Sequence, residues 1–178
     1  MAYVGQQLPN VYFKTRVLNE ETGEYDWQEM TTADYFLGRR VVVFSLPGAF
    51  TPTCSNTQCP GYDLLYNDIC AQNIDEVYCM SVNDAFVMNA WASDLNLQNV
   101  KMIPDGGGYF TKEVEMLVYK DNLGFGQRSW RYAMVVDNGV IEKLFVEPGK
   151  CDDCLTDPYG ETAPEKVLEY LQGVAAAA

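Results

Sequence analysis

Chemistry in this chain begins with sulfur. Six cysteines stand in a sequence that has no histidine, which excludes Cys–His and Ser–His–Asp nucleophilic catalysis and any histidine-ligated metal. Cys54 is the cysteine best placed to react. Ahead of it, Val41-Val42-Val43-Phe44 reads as a short buried strand bounded by Pro47 and Gly48. Behind it, Tyr62, Leu65, Tyr66 and Ile69 recur at helical spacing. Pro52 suits the first position of that helix and Thr51 its N-cap, which puts Cys54 in the first turn. Free backbone N–H groups and the positive end of the helix dipole favour a thiolate there. A plain thiol, with a pKa of ~8.5, is only a few per cent ionised at neutral pH. A working nucleophile therefore needs that help, and a nearby guanidinium would add to it.

The elements that must hold this turn follow from pattern. Residues 10–30 alternate as a hairpin, with Val11, Phe13, Thr15 and Val17 on one side and Asn19 to Gly23 as the turn. Thr31 or Thr32 caps a short helix through Tyr35 and Phe36, ended by Gly38. Val77 to Val82 is a second strand; Asn83 or Asp84 caps a helix whose apolar face carries Phe86, Val87, Ala90 and Trp91. Val100 to Ile103 is a third strand, stopped by Pro104, and Thr111 starts another short helix. Arg131 to Val136 and Val140 to Val146 flank Asn138-Gly139, the pair a type I′ hairpin turn prefers. Thr162-Ala163-Pro164-Glu165 is a capping-box pattern for a last helix burying Val167, Leu168 and Leu171, and the tail from Ala175 to Ala178 reads as a frayed end. The sum is one α/β domain over residues 1–178 with a mixed central sheet.

The string P-G-A-F-T-P-T-C fits the P-x-x-x-T-x-x-C signature of peroxiredoxins, with Pro47, Thr51 and Cys54 at the fixed positions. With C-P-G-Y after it, the chain resembles the peroxiredoxin V type. The likeness continues in Val82 to Trp91 and in Arg128 to Gly139. The resemblance implies a thioredoxin-like fold with an N-terminal β-hairpin extension, and a thiol-dependent peroxidase acting on hydrogen peroxide and alkyl hydroperoxides. It places the catalytic set at Cys54, Thr51, Pro47 and Arg131, with Arg128 in support. It implies recycling by thioredoxin or by glutathione with glutaredoxin, a homodimer, and no cofactor or metal.

Three cysteines are candidates to resolve oxidised Cys54. Cys151 and Cys154 form a C-x-x-C in a loop with Pro148 and Pro158, the region from which the family's intramolecular resolving cysteine comes. Cys59, where many relatives carry leucine after a histidine that is Gln58 here, has the spacing that another peroxiredoxin branch uses. Five residues of helix rise about 7.5 Å, whereas a disulfide wants Cα atoms about 4.4–6.8 Å apart, so a Cys54–Cys59 bond needs local unfolding. Pro60 removes one helical bond and should kink the helix, a hinge for that unwinding. Cys70 and Cys79 read as small buried apolar residues.

Lys plus Arg number 12 against 25 Asp plus Glu, and the net charge of −13 repels nucleic acid and anionic membrane. No secretory signal or membrane-length apolar run is visible, and six cysteines without a signal point to thiols in a reducing cytoplasm. The alternatives are a peroxide sensor or redox relay using Cys54, a general disulfide reductase using Cys151 and Cys154, and a zinc-stapled binding module built on the same pair.

Overall fold

The apolar run around Val42 is buried because it is the middle of a sheet covered on both faces. The computed structural model describes residues 2–178. Its central sheet has the order β5-β4-β3-β8-β9, made of β3 (Arg40–Leu46), β4 (Glu76–Ser81), β5 (Lys101–Pro104), β8 (Tyr132–Asp137) and β9 (Val140–Val146). β3, β4 and β5 run parallel, β8 runs antiparallel beside β3, and β9 pairs antiparallel with β8 at the edge. Side chains alternate across a strand. Val41 and Val43 therefore enter one core with Tyr132, Met134, Phe36 and Phe110, and Val42, Phe44 and Leu46 enter the other with Tyr62, Trp91, Val167 and Leu171. An uninterrupted apolar strand is what such two-sided burial requires.

The hairpin is β1 (Tyr12–Leu18) with β2 (Tyr25–Thr31), in antiparallel register from Tyr12↔Thr31 to Leu18↔Tyr25. Thr31 caps α1 (Thr32–Phe36) in a reciprocal capping box with Asp34. Asp84 caps α4 (Ala85–Asp94) by accepting from the Val87 N–H. At the β8–β9 turn Asn138 and Gly139 both have positive φ, 48° and 79°, as a type I′ turn demands.

Some expectations are corrected. α4 buries Ala85, Met88 and Trp91, whereas Phe86 is exposed and stacks edge-on against Trp27 of the hairpin. The short α5 (Tyr109–Glu113) starts before Thr111, whose amide and hydroxyl both donate to buried Asp105. A second small hairpin, β6 (Leu117–Tyr119) with β7 (Gln127–Ser129), carried no sequence signal because its strands are only three residues long. α6 (Pro164–Ala177) runs through the alanine tail, and no side-chain cap starts it, because Thr162 is committed elsewhere.

Candidate active site

The helix carrying Cys54 opens at Pro52, directly beyond the C-terminal end of β3. Thr51 stands at the N-cap position, and its carbonyl accepts the first helical bond from the Ser55 N–H at 2.9 Å. Its hydroxyl, expected to accept from the Cys54 N–H, instead donates backwards to the Gly48 carbonyl at 2.7 Å. The Pro47 to Thr51 loop is thereby folded on itself. Asn83 pins it from the bend after β4, accepting from the Ala49 N–H at 3.0 Å, and Arg128 covers it with a 3.5 Å bond to the Pro47 carbonyl.

The first turns are wider than an α-helix. Cys54–Gln58 form a π-helical turn, closed by the Cys59 N–H donating to the Cys54 carbonyl. The expected kink at Pro60 takes this form. A proline ring crowds the carbonyl four residues back and brings no N–H of its own, and one added residue in the turn relieves both. Beyond it α2 (Cys59–Leu64) meets α3 (Tyr66–Cys70) at a break in the helix at Leu65.

Cys54 is fully buried, and so is Arg131, which sits one residue before β8. The two come together across the end of the sheet, with Arg131 Nη1 donating to Cys54 Sγ at 3.5 Å. The same Nη1 donates to the side-chain oxygen of Gln58. Nη2 donates to both carboxylate oxygens of Asp157 at 2.7 Å each, and the guanidinium lies 5.7 Å from the centre of the Tyr159 ring. Burial works against the charge on Arg131, yet the charge of Cys54 and the bonds to Asp157 outweigh it and hold its pKa above the ordinary value. Burial holds the Arg128 pKa below its ordinary value, with Cys54 partly offsetting the effect. A fixed cation bonded to sulfur, at the start of a helix, is an arrangement that stabilises an anion there and attracts a polar O–O bond.

A family model described as Redoxin matches residues 3–157. A peroxiredoxin of Rhizobium etli is 54% identical over 173 residues, 96% of this chain and 97% of that protein. The hybrid peroxiredoxin hyPrx5 of Haemophilus influenzae is 45% identical over 94% of this chain, which spans 65% of that longer protein.

The chain belongs to the peroxiredoxins.

Solved structures agree. The Plasmodium falciparum antioxidant protein, a 1-Cys peroxiredoxin, superposes with a TM-score of 0.90 at 33% identity, covering 95% of this chain and 99% of that one. Reduced Prx3 of Vibrio vulnificus in complex with hydrogen peroxide gives 0.84 at 37% identity, covering 96% and 99%. Peroxiredoxins are thiol peroxidases, so this chain is an oxidoreductase with the mixed-sheet fold and N-terminal hairpin of that family.

Within this peroxiredoxin, Pro47, Thr51, Cys54 and Arg131 meet at one end of the sheet. The three candidate resolving cysteines do not share one place. Cys59 is fully buried in the same core as Cys54. It contacts Cys79, whose thiol pKa is pushed well up by burial first and by Cys59 second. Cys79 is thus buried as expected but lies beside another thiol, while Cys70 is only half-buried. Cys151 and Cys154 are joined to each other as a disulfide, with Cα atoms 5.5 Å apart. Cys154 packs in the core on the opposite face of the sheet from Cys54. Asp152 and Asp153 fasten that loop to β6 and the turn after it, accepting from the Tyr119 and Asn122 N–H groups.

Sequence reasoning missed Asp157, which had no motif around it. It treated Gln58 only as a departure from relatives and Thr162 as a cap. Thr162 Oγ1 instead accepts from Gln58 Nε2 at 3.4 Å, and its carbonyl accepts from the Tyr62 hydroxyl at 2.7 Å. Trp91, read as core, also donates to the hydroxyl of Ser55, the residue after Cys54, at 2.9 Å.

Proposed function

We propose that Cys54 is the peroxidatic cysteine of a thiol peroxidase acting on hydrogen peroxide and alkyl hydroperoxides. The observation that carries this is the 3.5 Å bond from Arg131 to the Cys54 sulfur at the start of a helix, both side chains buried. The thiolate attacks one peroxide oxygen, the O–O bond breaks, and the pair of electrons leaves on the second oxygen as water or alcohol after protonation. Cys54 becomes a sulfenic acid. Arg131, Arg128 and the backbone N–H groups of Thr53 and Cys54 meet the developing oxyanion. A thiol then condenses with the sulfenate, and thioredoxin, or glutathione with glutaredoxin, returns the thiol.

The reading extends to a cytoplasmic homodimer. Cys54, Cys59, Cys70 and Cys79 are free, as a reducing compartment favours, whereas the Cys151–Cys154 pair departs from the expectation of thiols throughout. Phe50, beside the site, and Phe86 and Trp27 expose apolar rings suited to a second copy. Peroxide turnover measured separately with a thioredoxin system and a glutathione–glutaredoxin system tests the reductant. Absence of turnover with either, combined with oxidation transferred to a partner protein, would favour the sensor reading. Light scattering tests the dimer.

A further inference from the structure

Arg131 is a buried cation whose partner changes charge during the reaction. Cys54 is anionic as a thiolate and neutral as a sulfenic acid or a mixed disulfide. A buried guanidinium left without a counter-charge is costly and relocates if it can. Asp157 is the counter-charge that does not change, bonded through both oxygens to Nη2 and about half-exposed at 43% where Arg131 is 1% exposed. Among the described residues Nε of Arg131 has no hydrogen-bond partner, so Nη1 and Nη2 carry all of the orientation.

The loop that supplies Asp157 holds Arg131 by a second route. Its first residue, Glu147, is buried and accepts from the N–H groups of Glu161 and Thr162 at 3.1 and 2.7 Å. Its N–H donates to the Arg131 carbonyl at 3.2 Å. Thr162, so fixed, takes the Gln58 amide nitrogen and turns the amide oxygen toward Nη1. One loop therefore grips both ends of the guanidinium, with charge at Nη2 and a directed amide at Nη1.

We propose that Asp157 is a positioning residue for the peroxidase reaction, keeping Nη1 of Arg131 on the Cys54 sulfur of the folded site for the attack on peroxide and holding the guanidinium in place when the charge on Cys54 changes. The inference rests on Cys54 and Arg131 having the roles proposed above. The test is single-turnover oxidation by hydrogen peroxide, followed by tryptophan fluorescence, in Asp157→Ala, Asp157→Asn and Cys54→Ser. Alkylation of Cys54 by iodoacetamide is measured in parallel. Alkylation shares with the peroxide step the thiolate that Arg131 favours, but it has no leaving oxyanion held by Arg131. Asp157→Ala should slow the peroxide step about tenfold or more, as small misplacements of a catalytic group do, and slow alkylation much less. Asp157→Asn keeps an oxygen acceptor and should lie between Ala and wild type. A wild-type peroxide rate in Asp157→Ala, or an equal loss in both reactions, overturns the proposal. If circular dichroism shows that the alanine variant does not fold, the asparagine variant decides: a selective peroxide loss supports the proposal and an unchanged rate overturns it. Turnover surviving in Cys54→Ser would instead overturn the assignment of Cys54.

Discussion

Arg131 and Cys54 are 77 residues apart in sequence, yet Nη1 of one lies 3.5 Å from Sγ of the other. The contact joins the start of a helix to the residue entering β8, across the end of the central sheet. A helix terminus and a guanidinium converge on one sulfur.

Cys54→Ser should abolish peroxide turnover while leaving the fold unchanged. The serine hydroxyl is smaller than the thiol and not ionised at neutral pH, but it fits the same buried space. Steady-state turnover and a thermal melt check both halves, and retained turnover would defeat the mechanism.

Arg131→Lys should slow the peroxide step by about 10²-fold, the scale for losing an oxyanion donor. Lysine keeps the charge, but its single ammonium cannot reach Cys54, Gln58 and both oxygens of Asp157 as a planar fork does. A rate matching wild type would reduce the arginine to a point charge.

Oxidised Cys54 should be captured by an external thiol more readily than by the Cys151/Cys154 loop. Those two cysteines are paired with each other and anchored on the other face of the sheet. The attack they could make requires both reduction and release of the Asp152 and Asp153 anchors. Peptide mapping after one equivalent of peroxide, with and without glutathione, should give a Cys54–glutathione adduct when glutathione is present. A Cys54–Cys154 or Cys54–Cys59 linkage as the main product under those conditions would reverse the order.

Glu142 on β9 reaches across β8 to Arg40 on β3 through bonds of 2.6 and 2.8 Å, and the Tyr170 hydroxyl donates to it as well. The hydrogen bond from Arg40 is the main cause that holds its pKa below the ordinary 4.5. A depressed folded pKa stabilises the fold above about pH 4.5, and that contribution is lost as pH falls through the lowered value. Glu142→Gln should cost about 1 kcal/mol near neutral pH, with the pair only partly buried. The difference from wild type should close in thermal melts taken toward pH 3. A gap that stays constant with pH would mean the pair contributes through shape alone.

Sequence alone determined the parts of this protein that depend on neighbours along the chain. The strand before Cys54, the helix after it, the Thr31 capping box and the Asn138-Gly139 turn were all legible, because apolar period, caps and positive-φ residues act within a few positions. The signature around Cys54 named the family before any contact was known. Tertiary structure decided what lies across those elements. The helical face of α4 was misphased because Phe86 found Trp27 and Arg16 on the hairpin instead of the core. Thr162 left its capping role because Gln58, Tyr62 and Glu147 needed its polar groups in a buried place. Asp157 has no local pattern, since its partner is 26 residues back on another element. Cys154 reads as a neighbour of the site in a one-dimensional chain, and the two-sided sheet puts it behind the site instead. Local propensity selects the elements; which side chains meet is set by how the layers stack.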